Sequence, residues 1–260
     1  MRFVVQERPV AGCETATFAT IPWDSETYGF PVIDLRCDKV EPQTLARSLP
    51  AWLQSLGAGP SLVYSKVPIA ALDLGHVLCG AGFYPVETML EVYLPISRLR
   101  TISNRPTTAF RLRAATESDL PALTQIAATA FRTDRLHLDT QLPGARADSR
   151  YVNWVQRAFA DNDRLFAYAD TRQARIVGFY HVRSTDPGMV DLSLAAVDPA
   201  FQHLGVGALL YEAVLLDCQS RGDKVATTHI TVNNIEVLNL FARLGASFRH
   251  PVVTFHRVQR

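Results

Sequence analysis

The residues best suited to chemistry fall in one run, Val190-Asp-Leu-Ser-Leu-Ala-Ala-Val197-Asp-Pro-Ala-Phe-Gln-His-Leu-Gly-Val-Gly-Ala-Leu-Leu210. It reads as a strand, an Asp-Pro turn, a glycine turn and a helix. Pro199 stops the strand by removing a backbone donor. Gly205 and Gly207 let the backbone approach a ligand with no Cβ in the way. Leu204 to Ala208 then present N–H groups at a helix N-terminus, where free donors and the helix dipole suit a phosphate or pyrophosphate. The spacing is not the three-glycine dinucleotide fingerprint, and the Lys-Ser/Thr of a nucleotide P-loop is missing. Two glycines alone also fit an ordinary strand-to-helix connection with no ligand.

The elements around this run decide between those readings. Alternation of Phe110, Leu112 and Ala114 predicts a strand. Thr116 is placed to cap a helix, with Asp119 as its capping-box partner and Pro121 in the first turn. Leu120, Leu123, Ile126, Ala127 and Ala130 form that helix's apolar stripe. Residues 131–150 are polar and irregular, and a helix follows at 151–160. Strand-like runs come at 165–169, 176–181 and 190–197. Then follow an amphipathic helix over 208–220, a strand over 224–232, a helix over 234–244 and a final strand over 252–258. This is an α/β order with mixed strand pairing.

The polar stretch 97–108 predicts a linker between a first domain, 1–100, and a second, 105–260. Before it, a strand-like 62–67, a helix-like 70–81 and a strand-like 84–94 repeat the layout of the chain's end. Gly80-Ala81-Gly82-Phe83 and Leu244-Gly245-Ala246-Ser247 close the helix in each copy. The first domain thus reads either as a partial, degenerate copy of the second domain's end or as chance likeness.

The chain has 260 residues, 48% hydrophobic and 20% charged, a balance that supports a real core. With 26 Lys+Arg against 25 Asp+Glu and no basic run, nucleic-acid binding is not expected. Cys13, Cys37, Cys79 and Cys218 form no CxxC pair and no zinc-spaced cluster, so no metal is expected. The N-terminus lacks an apolar signal core, and no run approaches the ~20 apolar residues of a membrane span. A cytoplasmic location is expected, and a homodimer is compatible with everything above.

Val-x-Pro-x-x-Gln-x-x-Gly-x-Gly-x-x-Leu resembles motif A of the GNAT superfamily of acyl-CoA N-acyltransferases. Downstream, Asn234-x-x-Val237-x-x-x-Phe241-x-x-x-Gly245 is similar in spacing to that family's second helix signature. The likeness covers about 105–260. It implies an α/β fold with a central mixed, mostly antiparallel sheet flanked by helices, here preceded by a smaller α/β domain. The whole chain resembles one branch, the TDP-fucosamine acetyltransferases and their relatives. The segments 21–30, 131–139 and 151–154 carry that similarity.

The resemblance implies direct transfer of an acetyl or small acyl group from acetyl-CoA to a small-molecule amine, such as a nucleotide-linked amino sugar. Leu194, Ala195, Ala196 and Val197 would hold the pantetheine arm through their backbone. Gln202, His203, Leu204, Gly205, Val206, Gly207 and Ala208 would hold the pyrophosphate, and Asn234 would lie near the thiol end. Most relatives carry at position 241 a Tyr that protonates the leaving thiolate; here it is Phe241. The thiolate then leaves with help from water or another group, or a neighbour (Tyr211, Tyr180 or His229) replaces the Tyr, or the chain binds acyl-CoA without transfer. An aminoacyl-tRNA donor is a further alternative, disfavoured by the balanced charge.

Asp191 stands where some relatives carry a catalytic Glu and shares a face with Ser193. With His229 it is the candidate base. An exposed strand Asp and a structural His fit those two positions as well. Arg132, Arg135, His137, Asp139 and Trp154 are the candidate acceptor contacts, arginine suiting a phosphate.

Overall fold

The computed structural model describes residues 5–102 and 109–260, which form a mixed series of strands and helices. The elements are β1 (Arg8–Val10), β2 (Cys13–Thr20), α1 (Pro22–Tyr28), β3 (Val32–Arg36), α2 (Pro42–Ser55), β4 (Ser61–Pro68), α3 (Leu72–Gly80) and β5 (Tyr84–Pro95). They continue as β6 (Phe110–Ala114), α4 (Leu120–Ala130), α5 (Arg135–Leu138), α6 (Gly144–Ala160), β7 (Arg164–Asp170), β8 (Arg175–Ser184) and β9 (Met189–Val197). Last come α7 (Val206–Ser220), β10 (Val225–Thr231), α8 (Ile235–Leu244) and β11 (Ser247–Gln259).

The chain divides into two compact units. One holds the described residues of Met1–Met89 with Asp134–Arg146 and His250–Arg260; the other holds those of Leu90–Thr133 with Ala147–Arg249. Residues 134–146 and the end of β11 thus lie in the first unit. Of the expected linker 97–108, residues 103–108 lie outside the described residues.

The first unit's strand order is β1-β2-β3-β4-β11. β3 and β4 are parallel, Val32 facing Leu62, while β4 and β11 are antiparallel, Tyr64 facing His256. Leu35, Leu45, Leu49, Trp52, Leu78 and Phe255 fill its core. Segment 134–146 joins this unit through buried polar contacts: Asp139 Oδ2 lies 2.7 Å from His256 Nδ1 and 2.9 Å from the Tyr84 hydroxyl.

In the second unit β6, β7, β8 and β9 pair antiparallel in sequence, and β10 joins β9 in parallel. Leu210, Val214 and Cys218 recur at helical spacing on α7 and are buried against Val190, Leu192 and Phe241. The opposite sheet face buries Phe179, Leu194 and Ala196 under Leu123 and Ile126 of α4 and Val155 of α6. α6 starts at Gly144 rather than 151. Ala147, Tyr151, Val155 and Ala158 form its buried stripe, which the polar Arg146, Asp148, Ser149 and Arg150 obscure in sequence. The expected cap of α4 is present: Thr116 N donates to Asp119 Oδ2 at 2.8 Å, and Arg113 grips the same carboxylate at 2.6 and 2.7 Å. That guanidinium holds the Asp119 carboxyl well below the usual carboxylate range.

Candidate active site

The parallel ladder between β9 and β10 is short. It runs from Met189–Val225 to Asp191–Thr227. β9 continues to Val197 and stays paired to β8, while β10 continues to Thr231 without β9 as its partner. The two strands therefore part beyond Asp191, leaving the β9 edge from Leu192 to Val197 with backbone donors and acceptors that the β9–β10 ladder does not use. An extended ligand with amide groups would pair there as a strand does.

The glycine turn lies at the end of that edge. Asp198 Oδ1 accepts from Ala200 N at 2.9 Å, and Arg175 holds its other oxygen at 2.6 Å. Gln202 Nε2 donates to Val197 O at 3.1 Å, tying the turn to the strand. Gly205 has φ +79°, left-handed, with nothing within 4 Å of where a Cβ would sit. The first N–H groups of α7, at Val206, Gly207 and Ala208, have no acceptor inside the helix. An open, donor-rich cradle of this kind fits a pyrophosphate. His203 and Leu204 are exposed beside it, and His203 Nδ1 lies 3.4 Å from Glu236 Oε1. Asn234 caps α8 by accepting from Val237 N at 3.2 Å.

A register shift between β8 and β9 falls at the point of divergence: His181 faces Leu194, whereas Arg183 faces Asp191. The extra residue keeps Asp191 and Ser193 together, and Ser193 Oγ donates to Asp191 Oδ2 at 2.5 Å. Arg183 donates to Ser193 Oγ at 3.0 Å and to Asp191 Oδ2 at 2.9 Å. Thr227 stands opposite Asp191 on β10. His229 lies two residues further along on the same face and is exposed.

Phe241 is completely buried in the core, so its ring presents nothing to a ligand. Tyr211 of α7 packs edge-on against it, ring centroids 5.4 Å apart, and Tyr180 packs edge-on against Tyr211 at 4.9 Å. The Tyr180 and Tyr211 hydroxyls share a hydrogen bond, and burial pushes the Tyr211 phenol up to about 12. The ring that packs on Phe241 thus carries a hydroxyl, which Phe241 itself lacks.

The expected acceptor contacts separate. Arg132 and Trp154 belong to the second unit, where Arg132 pairs with Asp148. Arg135, His137 and Asp139 belong to the first and are satisfied within it: Arg135 lies over the Tyr64 ring at 4.3 Å and 2.5 Å from His256 Nε2, and His137 pairs with Asp134. His181, which the sequence reading passed over, joins Trp154 instead. Trp154 Nε1 donates to His181 Nδ1 at 3.2 Å, so His181 Nε2 carries the ring proton and donates to Asp163 Oδ2 at 3.0 Å. Burial lowers the proton affinity of His181, which sits neutral. The available signal was a lone polar residue in the apolar run 176–182.

Among the described residues no group of three or more His, Cys, Asp or Glu is placed to hold a metal, and no helix is long and apolar enough to cross a membrane.

Residues 121–246 match the acetyltransferase (GNAT) family model. The chain carries a GNAT acetyltransferase domain. That domain spans α4 to α8, and with it the parted strands, the glycine turn and the Tyr211–Phe241 pair. The chain is 23% identical over 247 residues to the dTDP-fucosamine acetyltransferase of Escherichia coli O6:H1, covering 93% of this chain and 98% of that enzyme. In fold it is similar to a GCN5-related N-acetyltransferase from Sphaerobacter thermophilus, with TM-score 0.68, 14% identity and coverage of 95% of this chain and 77% of that one. It is similar also to one from Kribbella flavida, with TM-score 0.66, 13% identity and coverage of 97% and 89%. The GNAT fold expected from the sequence is the fold observed, and the chain is an acyltransferase.

Proposed function

We propose that this chain moves an acetyl group from acetyl-CoA to the primary amine of a small ring-bearing molecule, of the kind a nucleotide-linked amino sugar presents. The observation that carries this is the parting of β9 and β10 immediately beside the open N-terminus of α7. The dTDP-fucosamine acetyltransferase likeness, which runs nearly the full length of both chains, supports the acceptor class.

When bound, acetyl-CoA supplies an activated acyl group on a thiol leaving group. The backbone of Leu194 to Val197 orients the pantetheine arm, and the amides of the turn hold the pyrophosphate. Asp191, with Ser193 and Arg183 holding its carboxylate in place, accepts a proton from the incoming amine directly or through water, with His229 on the same face. Tyr211 remains protonated and donates a hydrogen bond to the departing sulfur. A thiolate is already a tolerable leaving group near neutral pH, so a hydrogen bond rather than a full proton suffices.

The first unit supports a second part of this reading. β3-α2-β4-α3-β5 follows the same order as β9-α7-β10-α8-β11, each with its strand pair parallel across a crossover helix. We read the first unit as a degenerate copy of the transferase half. In place of a glycine turn its α2 begins with Glu41, whose carboxylate accepts from Thr44 N at 2.8 Å and occupies the anion position.

Calorimetric titration with acetyl-CoA tests the donor site. Micromolar binding that disappears in Gly205→Glu, with an unchanged fold by circular dichroism, is the expected result. A free-thiol assay over a panel of amines and nucleotide-linked amino sugars tests the transfer. Unaltered acetyl-CoA binding in the Gly205→Glu protein would refute the turn as the pyrophosphate site.

A further inference from the structure

Trp154 stands on a built support. Its ring and that of Tyr151 are parallel within 4°, centroids 6.4 Å apart, and Phe131 stacks on Tyr151 at 4.0 Å. The Arg150 guanidinium lies 5.0 Å from the Trp154 ring and 5.6 Å from the Tyr151 ring. The indole N–H is fastened to His181, and His181 to Asp163, so the indole is held at its polar edge. His181 is only 2% exposed and faces Leu194 across the strands, one residue from Ser193. The indole thus packs on the sheet face that carries Asp191 and Ser193, where β9 leaves β10. Trp154 itself keeps part of its surface open.

A rigid aromatic surface fixed at its polar edge recognises another ring by stacking, and a nearby guanidinium favours anionic substituents. A flexible linear amine gains little from either. Resting on the acetyl-transfer reading above, we propose that Trp154 is the platform on which the acceptor's ring lies, and that His181 and Asp163 are positioning residues that hold the indole at the angle this requires. The acceptor class is a ring-bearing amine with a phosphate or similar anion, not a polyamine.

The experiment has two readouts. In a chain whose only tryptophan is Trp154 (Trp23→Phe, Trp52→Phe), titration with a dTDP-linked 4-amino sugar should quench the indole emission, and spermidine should not. In steady state with saturating acetyl-CoA, Trp154→Ala should raise KM for the amino sugar about tenfold while KM for acetyl-CoA stays within about twofold. His181→Ala should give a similar KM effect, and His181→Asn, which restores an acceptor for the indole N–H, should recover most of it. No quenching by the amino sugar, or equal quenching by spermidine, overturns the platform. So does a loss confined to kcat, or one that His181→Asn fails to rescue. The fluorescence arm needs no turnover. Quenching without thiol release would sink the transfer reading and leave the platform standing; thiol release with linear amines and no quenching would do the reverse.

Discussion

Tyr211 of α7 lies against Phe241 of α8 edge-to-face with ring centroids 5.4 Å apart, and its hydroxyl shares a hydrogen bond with that of Tyr180. Phe241 fills the core, and the packed Tyr211 carries the hydroxyl to which the mechanism proposed above assigns the departing sulfur.

Tyr211→Phe should therefore lower kcat by about tenfold, the worth of roughly one hydrogen bond to a charged sulfur, and leave acetyl-CoA affinity unchanged. With the phenol held near 12, the pH–rate profile of the native protein should show no falling limb from this group between pH 7 and 10. A falling limb in that range that vanishes in Tyr211→Phe would contradict the assignment.

Phe241→Tyr tests the same pair from the other side. The new hydroxyl would enter a site with no exposure. It should cost about 1–3 kcal/mol of stability, read as a lower urea midpoint, because burying a polar group without a ready partner is unfavourable. Undiminished stability with raised kcat would mean that the core already has room and a partner for a second hydroxyl.

Asp191→Asn should reduce kcat/KM for the amine by about a hundredfold, within the usual range for loss of a general base, and leave acetyl-CoA binding unchanged. Arg183→Ala should show a smaller loss of the same kind, since Arg183 only holds Asp191 and Ser193 in place. Loss of acetyl-CoA binding in Asp191→Asn would make this carboxylate part of the donor site instead.

In the first unit, burial lowers His256 from 6.5 to about 4, and the Arg135 N–H at its Nε2 occupies the lone pair a proton would need. The unfolded chain therefore takes up this proton first as pH falls. The stabilisation is complete above about pH 6.5 and fades toward pH 4, by about 2 kcal/mol between pH 6.5 and 5. Asp139, held below the usual carboxylate range despite its burial by His256, Tyr84 and the backbone of Gln141, adds to the loss at still lower pH. Urea midpoints at pH 7 and pH 5 measure this, and His256→Gln should flatten the difference. An equal slope in the variant would place the acid sensitivity elsewhere.

Gly178 faces Val197 where β8 approaches β9, and a Cβ there would lie 2.8 Å from Ala196 O. Gly178→Ala should push β9 off β8, lowering both the melting temperature and acetyl-CoA affinity. A well-folded variant with native affinity would show that the β9 edge tolerates displacement.

The second unit was legible because its signals are local. Leu209, Leu210, Ala213 and Val214 announce α7, Gly205 and Gly207 the turn before it, and Thr116 with Asp119 the start of α4. The start of α6 was hidden because four polar residues of its first turns outweigh the buried Ala147 in a linear reading. The register shift beside Asp191 leaves no trace in residue type, since it depends on how two strands twist past each other. Aromatic and basic residues around 131–154 stood out in the sequence, but the chain changes units inside that stretch. Arg135 and Asp139 therefore bind His256, over a hundred residues away in sequence, and Trp154 binds His181.

β5 begins in the first unit and ends in the second, where it lies next to β10, and β11 runs the other way. A shortened gene product starting at residue 105 would thus lose the strand bordering β10 and expose a row of unpaired amides and carbonyls on an apolar sheet. Such an edge recruits other chains. A truncated transferase domain should therefore come out of expression as aggregate, even with every residue of the glycine turn, Asp191 and Tyr211 intact.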